Sequence, residues 1–319
     1  MATHVVRFRR DGSIRWGVVN GERVTPLAAE LATTRDFMRE GAALVRSGRG
    51  LTAETVALRD VEVLCQITTD RQFLCQAVNY YSHMKESGFD PAKNPFNIFF
   101  TKAPSCLAPA TTDIACPAHV EFLDYEAEIG LVFASDVSAP VNVTAANLHE
   151  LVGALVIVND VSARDIQLPE MQFYKGKSYR TFGPTGPYLT LVDAGDLARF
   201  SELRLQLSVN GELRQSSLAS DMVHKPAPTL TELSALQSWQ AGDLLATGTP
   251  GGCALQAPAA PLRMLAQMLP ALSRQKLIRS AARGNTRKLK PGDVIETRIR
   301  TDDGKLDLGV QRNKVVRAS

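Results

Sequence analysis

The sequence predicts an α+β protein that is rich in β-structure, with a small N-terminal module and a larger domain of β-roll or barrel-like form. Short apolar runs recur along the 319 residues, separated by clusters of Pro, Gly and Asp. This is the pattern of many strands joined by turns. Helical periodicity is confined to a few segments. A chain of this length can bury a large core.

The N-terminal module is expected over residues 1–65 as a β/α unit. It opens with the alternating runs VVRFRR, IRWGVV and RVTPL, separated by Asp-Gly and Asn-Gly dipeptides. Such dipeptides between short alternating runs are the strongest short-range signal for hairpins. Residues 27–58 are predicted as helical, with breaks at Gly41 and at the Ser-Gly-Arg-Gly stretch.

The larger domain is expected over residues 66–319, with helices around residues 144–152 and 228–238. Most of its other ordered segments are predicted as strands, because they are short, apolar and bounded by turn residues. From Val61 onward these candidates are VEVLCQI, QFLCQAV, NIFFTK, YEAEIGLVF, ALVIVND, GPYLTLV, LRLQLSVNGE, DLLATG and DVIETRIR.

Composition favours a soluble globular protein. Hydrophobic residues make up 45% of the chain and charged residues 22%, the mean hydropathy is −0.08, and no apolar run is long enough for a membrane span. The stretch MATHVVRFRRDG lacks the apolar core of a secretory signal, so a cytoplasmic location is expected. Five scattered cysteines without a C-x-x-C pair argue for free thiols, and against both disulfides and zinc.

A basic, helix-prone insertion is expected over residues 253–290. Eight basic residues and no acidic one lie between Gly251 and Gly292, so the net charge of +3 comes from this segment. Charge confined to one segment, without any zinc-finger, RNP or helix-turn-helix pattern, argues against nucleic-acid binding. Residues 261–284 should form a surface helix, broken at Pro270, that packs over the domain or against a second subunit. A helix that binds a membrane or a partner is the alternative.

Three acids stand at alternate positions in the strand candidate LDYEAEIG: Asp124, Glu126 and Glu128. Alternate residues of a strand share a face, so these carboxylates would raise one another's pKa unless a cation neutralised them. Asp160, which ends the apolar run ALVIVND, can bring in another carboxylate. No histidine lies within four positions of these acids, which favours Mg²⁺, Mn²⁺ or Ca²⁺ over Zn²⁺. Solvated acids on an exposed strand are the alternative.

A candidate general base lies in NYYSHMKES. His83 and Glu86 are three residues apart and would be neighbours on a helix. An imidazole oriented by a carboxylate can activate water. The other four histidines lack such a polar cluster, and a purely structural or surface histidine is the alternative.

Basic and polar residues form a third group, suited to an anionic substrate. Arg164 and Gln167 share one side of a helical turn, Lys177 lies in the polar loop YKGKSYRTFGPTGP, and Lys102 follows the aromatic run NIFF. The turn ATGTPGG offers amides and the Thr249 hydroxyl to a carboxylate. Solvated surface charge is the alternative for each basic residue. P-loop, G-x-G-x-x-G and G-x-S-x-G motifs are absent from the sequence.

The order of motifs resembles that of the fumarylacetoacetate hydrolase superfamily, over residues 71–319. The motifs are NYYSHMKE, PFNIFFTK, DYEAEIGLV, VNDVSARDIQ, GKSYRTFGPTGP, VNGE, GDLLATGTPGG and PGDVIE. The resemblance, to an acylpyruvate-hydrolase-like member, implies that superfamily's β-roll fold, a homodimer and a small anionic keto-acid substrate. It implies Mg²⁺ or Mn²⁺ as the cofactor, and Ca²⁺ as a metal that can replace them in vitro.

The resemblance also implies roles for individual residues. The expected metal ligands are Glu126, Glu128 and Asp160. The expected catalytic residues are His83 as base, Glu86 as its partner and Lys177 at the oxyanion. The expected substrate contacts are Arg164, Gln167 and Thr249. Lys102 and Tyr80 are further expected substrate contacts, which the resemblance itself does not assign.

Two features depart from the superfamily pattern. Members commonly read GKSFDTF where this chain reads GKSYRTF, so Arg180 replaces an acid, and the basic insertion between GTP and PGD is unusual. Positive charge added at the mouth of a pocket would favour a more anionic or longer substrate.

The expected function is metal-dependent hydrolysis of a C–C bond in a 1,3-diketo acid, such as an acylpyruvate, fumarylpyruvate or fumarylacetoacetate-like compound, in the catabolism of aromatic or related compounds. His83 would activate water, and Lys177 with Gln167 would stabilise the oxyanion. One alternative keeps the metal site in a decarboxylase, isomerase or hydratase of a 2-oxo acid such as oxaloacetate or 2-hydroxyhepta-2,4-diene-1,7-dioate. The other is a non-catalytic role for the basic segment as a partner- or membrane-binding element.

Overall fold

The computed structural model describes residues 2–90, 96–256 and 268–318, and it confirms a strand-rich α+β fold. Its strands are β1 (Thr3–Arg10), β2 (Ser13–Asn20), β3 (Arg23–Pro26), β4 (Val56–Ala57), β5 (Glu62–Val63), β6 (Phe73–Ala77), β7 (Ile98–Lys102), β8 (Leu107–Pro109), β9 (Ile114–Cys116), β10 (Leu123–Asp124), β11 (Ala127–Phe133), β12 (Val152–Asn159), β13 (Ser162–Ala163), β14 (Gly183–Thr185), β15 (Leu189–Leu191), β16 (Leu203–Val209), β17 (Glu212–Leu218), β18 (Leu244–Ala246), β19 (Val294–Thr301) and β20 (Asp307–Arg317). Each of the nine predicted strand segments contains a strand.

The α-helices are mostly short. They are α1 (Thr34–Asp36), α2 (Ala42–Arg46), α3 (Tyr81–Glu86), α4 (Leu148–Leu151), α5 (Arg164–Glu170), α6 (Tyr174–Lys177), α7 (Ala194–Ala198), α8 (Pro226–Leu236) and α9 (Ala271–Gly284). The predicted helices around residues 144–152 and 228–238 correspond to α4 and α8. The helices of one or two turns were not predicted, because they are too short to show a hydrophobic period.

The main sheet is built around the antiparallel pair β11–β12. Beyond β11 it continues through β18, β6 and β7, and beyond β12 through β15 to β1, β2, β3 and β4. Every residue of β11 and β12 is buried, which explains their nearly continuous apolar sequences. Successive β12 residues, such as Val156 and Ile157, enter two different hydrophobic cores. The central pair is therefore covered on both faces.

A smaller sheet has the strand order β17-β16-β19-β20-β9, and β10 pairs only with β13 among the described strands. The β10–β13 pair joins Asp124 to Ser162 and so brings the start of the acidic stretch beside the start of α5.

The N-terminal hairpins form as predicted. The β1–β2 turn consists of Asp11 and Gly12, whose φ angles of 49° and 79° suit a two-residue type I′ hairpin. β1 also pairs with β15, so the N-terminal strands extend the main sheet.

The helix predicted over residues 27–58 is confirmed only for residues 34–46, where α1, a π-helical turn (Phe37–Gly41) and α2 follow one another. The predicted break at Gly41 is wrong. A Cβ on Gly41 would lie 2.6 Å from side-chain atoms of both Leu31 and Phe37, so glycine permits close packing there. The run ends instead near Gly48, whose φ is 65°.

The basic insertion contributes α9, which begins directly after Pro270 and packs over α5. Arg274 donates to the Pro169 carbonyl at 2.9 Å, and Arg279 Nε donates to Asp165 Oδ2 at 3.0 Å. The part of the predicted helix over residues 257–267 lies outside the described residues. No helix in the described ranges is long and apolar enough to cross a membrane.

Gly130 in β11 offers a test of how tightly the central pair packs. A Cβ there would lie 2.7 Å from both Leu244 Cδ1 and Val156 Cγ1, inside the core. We expect Gly130→Ala to lower the free energy of unfolding by about 1–3 kcal/mol, the usual cost of overpacking. Urea unfolding measures this. Gly284→Ala is the matched control, because outside its own helical turn no atom of the described residues lies within 4 Å of its added Cβ. Equal effects of the two changes would contradict the packing.

Candidate active site and metal centre

Three of the predicted acids converge where β11 begins and β12 ends. Glu126 directly precedes β11, Glu128 is its second residue, and Asp160 directly follows β12. The Asp160 amide donates to the Glu126 carbonyl at 2.9 Å, which fixes the two strand ends together. One carboxylate oxygen from each acid lies within 4.8 Å of the others, and all three side chains are buried. The structure thus brings together the ligand set predicted from the sequence.

Buried lysines contact two of these acids. Lys177 donates to Glu126 Oε2 at 2.7 Å and also contacts Asp160. Lys102 contacts the other oxygen of Asp160 and donates to the Phe182 carbonyl at 2.7 Å. Burial alone would lower the pKa of Lys177, but the charges of Asp160 and Glu126 raise it, so its ammonium stays protonated.

Arg164, the first residue of α5, is also held by acids. Its Nε donates to Asp124 Oδ2 at 2.8 Å, a second nitrogen contacts Glu126, and Nη1 donates to Gln167 Oε1 at 2.9 Å. Asp124 further accepts hydrogen bonds from the amides of Ala254 and Leu255 at 2.8 and 3.0 Å. Asp124 therefore anchors Arg164 and the loop that follows β18, which explains the third acid of LDYEAEIG.

Glu128 is the acid that lacks such compensation. Its described partner is the Gly248 amide, at 2.8 Å, and no basic side chain in the described ranges forms an ion pair with it. Burial, together with the charges of Asp160 and Glu126, raises its pKa well above the usual value. A set of three carboxylate oxygens with one uncompensated negative charge fits a hard divalent cation such as Mg²⁺ or Mn²⁺.

His83 lies in α3 with only 6% of its surface exposed. Burial lowers its pKa to about 4, although the charge of Glu126 acts in the opposite direction. The imidazole is therefore neutral near pH 7 and can accept a proton. Its Nδ1 lies 3.9 Å from Cys253 Sγ, and its Nε2 lies 3.5 Å from Ser87 Oγ.

The predicted pairing of His83 with Glu86 is not formed. Both carboxylate oxygens of Glu86 accept from the Gly252 amide, at 2.9 and 2.7 Å. The spacing of three residues on α3 is as expected, but the glycine loop presents an unpaired amide to Glu86. Glu86 consequently fixes the loop rather than the imidazole.

A cavity of about 450 Å³ adjoins these groups. Its polar lining includes His83, Glu126, Glu128, Arg164, Gln167, Lys177 and Thr249. Its apolar wall includes Ile98, Phe100, Leu168, Met171 and Phe173. The rings of Phe100 and Phe173 stack with centroids 4.7 Å apart. The cavity thus joins an ionic site to an apolar compartment.

Three of the predicted substrate contacts have other surroundings. Lys102 and Tyr80 are 1% and 0% exposed and lie outside the described lining of the cavity, so their role as substrate contacts stays a prediction. Thr249 lines the cavity, but its hydroxyl donates to the Ala127 carbonyl at 3.0 Å and accepts from Gln215 at 2.9 Å. These bonds tie the glycine-rich turn to β11.

The sequence alone did not identify several residues of the site. Cys253 stands directly after the turn ATGTPGG, and this position was the sequence signal that could have identified it as a residue of the site. Arg274 and Ile278 of α9 also line the cavity, whereas Arg180 is exposed and lies outside the described lining. Arg274 thus brings positive charge from the insertion to the cavity, and the expectation for Arg180 stays a prediction.

Comparison with known proteins agrees with this architecture. The family model for the fumarylacetoacetate (FAA) hydrolase C-terminal region matches residues 72–316. The chain belongs to the fumarylacetoacetate hydrolase family. A second family model, Rv2993c-like, N-terminal, matches residues 3–65.

Relatives and structural neighbours of this chain carry different activities in their names. The oxaloacetate tautomerase YisK of Bacillus subtilis (strain 168) is 35% identical over 185 residues, which are 57% of this chain and 59% of that protein. The mitochondrial oxaloacetate tautomerase FAHD2A of Homo sapiens is 31% identical over 241 residues, 74% of each chain. The maleylpyruvate hydrolase of Sphingobium sp. SYK-6, solved with manganese(II) and pyruvate, shares the fold with a TM-score of 0.70, 21% identity and coverage of 99% and 100%.

The raised pKa of Glu128 predicts a pH dependence of stability in the metal-free protein. A carboxyl group whose pKa is higher in the folded state than in the unfolded state stabilises the folded protein at low pH. This stabilisation is lost as pH rises from about 4.5 through the pKa of the folded state. We therefore expect the melting temperature of the wild type, relative to Glu128→Gln, to fall as pH rises from 5 to 8 in chelator. Saturating Mg²⁺ or Mn²⁺ should reverse the fall.

Thermal melts of both proteins, with chelator and with metal, make this comparison. Glu232→Gln, at an exposed position of α8, is the control and should show no such trend. If the difference in melting temperature between the wild type and Glu128→Gln stayed constant with pH, this would contradict an uncompensated buried charge on Glu128.

Proposed function

We propose that this member of the family is a divalent-metal-dependent tautomerase of 2-oxo diacids, acting on oxaloacetate or a longer relative. The observation that carries the proposal is that a buried, neutral His83 and two acids of the carboxylate triad line one cavity. Hydrolysis would gain from a carboxylate that orients His83 toward water, whereas Glu86 is bound to the Gly252 amide. The oxaloacetate tautomerases of Bacillus subtilis and Homo sapiens described above support the same choice.

Glu126, Glu128 and Asp160 would hold Mg²⁺ or Mn²⁺. When bound, such a cation withdraws electron density from the 2-oxo group of a substrate and makes the adjacent C–H more acidic. The manganese in the maleylpyruvate hydrolase that shares this fold supports a divalent cation here.

The chain's own groups then move one proton. An imidazole nitrogen of His83 takes the proton from C3 as the C2=C3 double bond forms, and gives it to the oxygen on C2. The lowered pKa keeps that nitrogen unprotonated at the start. Lys177, fixed between Glu126 and Asp160, places a permanent positive charge beside the negative charge that develops on oxygen.

The substrate's second carboxylate is assigned to Arg274. Arg274 lines the cavity from α9 and donates to the Pro169 carbonyl of α5, so the insertion brings a guanidinium to the cavity. The apolar residues of the same lining suit a carbon chain. A diacid would therefore place one end at the carboxylate triad and the other at α9.

Hydrolysis of a C–C bond in an acylpyruvate is the second candidate. Lys177 and Gln167 line the same cavity as His83 and would suit an oxyanion. Product analysis separates the two, because hydrolysis yields two acids whereas tautomerisation changes no mass. The homodimer expected from the sequence stays a prediction.

His83 supplies the main test of the proposed reaction. His83→Ala should lower kcat for keto–enol exchange by about 10²- to 10⁴-fold, the usual contribution of general acid–base catalysis. The assay follows enol absorbance of oxaloacetate with Mg²⁺ or Mn²⁺ added, and metal binding is measured separately. His149→Ala, at an exposed position of α4, should leave the rate unchanged. Normal turnover by His83→Ala with metal bound would refute the assignment.

Arg274 supplies a test of substrate class. Arg274→Ala should raise KM for a 2-oxo diacid by about 10- to 100-fold, as expected for losing a charged hydrogen bond, while KM for the monoacid phenylpyruvate stays the same. Lys276→Ala, exposed on the same helix, is the matched control. Equal changes for both substrates, or none for the diacid, would count against the role of α9.

A further inference from the structure

A second group of metal-ligating side chains lies beside the carboxylate triad. His83, Cys253 and one oxygen of Glu126 have ligand atoms within 4.8 Å of one another, and all three side chains are buried. This group differs from the triad in donor type, because it combines nitrogen, sulfur and oxygen. Only Glu126 belongs to both.

The spacing of the two softer donors is close to that of a zinc site. In tetrahedral Zn²⁺ coordination, with Zn–N near 2.0–2.1 Å and Zn–S near 2.3 Å, the nitrogen and sulfur lie roughly 3.6 Å apart. His83 Nδ1 and Cys253 Sγ are separated by 3.9 Å. A shift of a few tenths of an ångström therefore suffices to bring them to a common ion.

The loop that carries Cys253 is held in place from several sides. Glu86 accepts from the Gly252 amide, Asp124 accepts from the Ala254 amide at 2.8 Å, and Gln215 donates to the Pro250 carbonyl at 2.9 Å. The thiol position is thus set before any ion arrives, which lowers the ordering cost of binding.

We propose that His83, Cys253 and Glu126 form a site for a thiophilic divalent cation, with Zn²⁺ as the natural occupant. The neutral imidazole offers its lone pair, and the thiol releases its proton to solvent as the thiolate binds. Thiolate and carboxylate then balance the two positive charges. Three protein ligands leave a fourth position toward the cavity, which His83 and Glu126 both line.

The basic side chains that already contact Glu126 do not prevent this arrangement. Arg164 also bonds Asp124, and Lys177 also contacts Asp160, so each keeps an acidic partner when one Glu126 oxygen turns to the ion. The nitrogen–sulfur pair selects Zn²⁺ over Mg²⁺, which prefers an all-oxygen set. The site and the triad therefore favour different metals.

Occupation of this site inhibits the enzyme. Zn²⁺ takes the imidazole lone pair that the proposed proton transfer requires and draws Glu126 away from the triad. This consequence rests on the proposed function, whereas the binding itself does not. The two are measured by separate experiments.

Co²⁺ titration of the metal-stripped full-length protein tests the binding, because a cobalt–thiolate bond gives a near-ultraviolet charge-transfer band. We expect the band in the wild type in the presence of Mg²⁺, its loss in Cys253→Ala and Cys253→Ser, and its retention in Cys106→Ala, a buried cysteine outside the group. Calorimetry should show Zn²⁺ affinity weakened about tenfold or more in both Cys253 variants.

Folding of each variant is checked by its melting temperature and by its retained stabilisation by Mg²⁺. Absence of the band in the wild type, or its persistence in folded Cys253→Ala, would overturn the site. Inhibition is tested by turnover against Zn²⁺ concentration. Equal Zn²⁺ inhibition of wild type and folded Cys253→Ala would overturn the inhibitory role, whatever the spectrum shows.

Discussion

The buried charge network around Glu126 and Asp160 is the interaction on which the rest of the site depends. Lys177 spans both acids, while Arg164 joins Glu126 to Asp124. Removing one member of such a network leaves a buried charge without its partner, which typically costs about 3–5 kcal/mol. Because its members come from β7, α5, α6 and the ends of β11 and β12, the network also sets where these elements meet. Glu128 has no ion-pair partner among the described residues, and its uncompensated charge marks the place that suits a cation.

The separation of two interacting residues along the chain decides whether the sequence alone could predict their contact. The acids of LDYEAEIG and the buried strand before Asp160 are local patterns, so strand alternation and apolar runs predicted them. Glu86 illustrates the limit: its spacing from His83 is local, but its partner, the Gly252 amide, lies 166 positions away. Cys253 is 170 positions from His83. Cysteine spacing along the chain argued against zinc and could not show a ligand pair assembled only by folding.

The insertion changes the cavity while leaving the ionic centre intact. The strand ends that hold the acids are constrained by the sheet register on both sides, so little can vary there. α9 instead packs on the outer side of α5 and reaches the cavity with Arg274 and Ile278. Under the proposed function, chemistry and substrate choice lie in different parts of the chain. A change in α9 would then alter which acid fits without disturbing the buried charges.

The pairing of β1 with β15 also has a consequence for solubility. β15 ends at Leu191, and its three residues are buried between β12 and β1. Without the N-terminal strands, its outer edge would present unpaired amides and carbonyls beside apolar side chains, which invites strand-to-strand association between molecules. In the complete sheet that exposed position moves outward to β4, a strand of only two residues, Val56–Ala57. The N-terminal hairpins thus protect the main sheet from aggregation, because the edge strand becomes the two-residue β4 instead of the apolar β15.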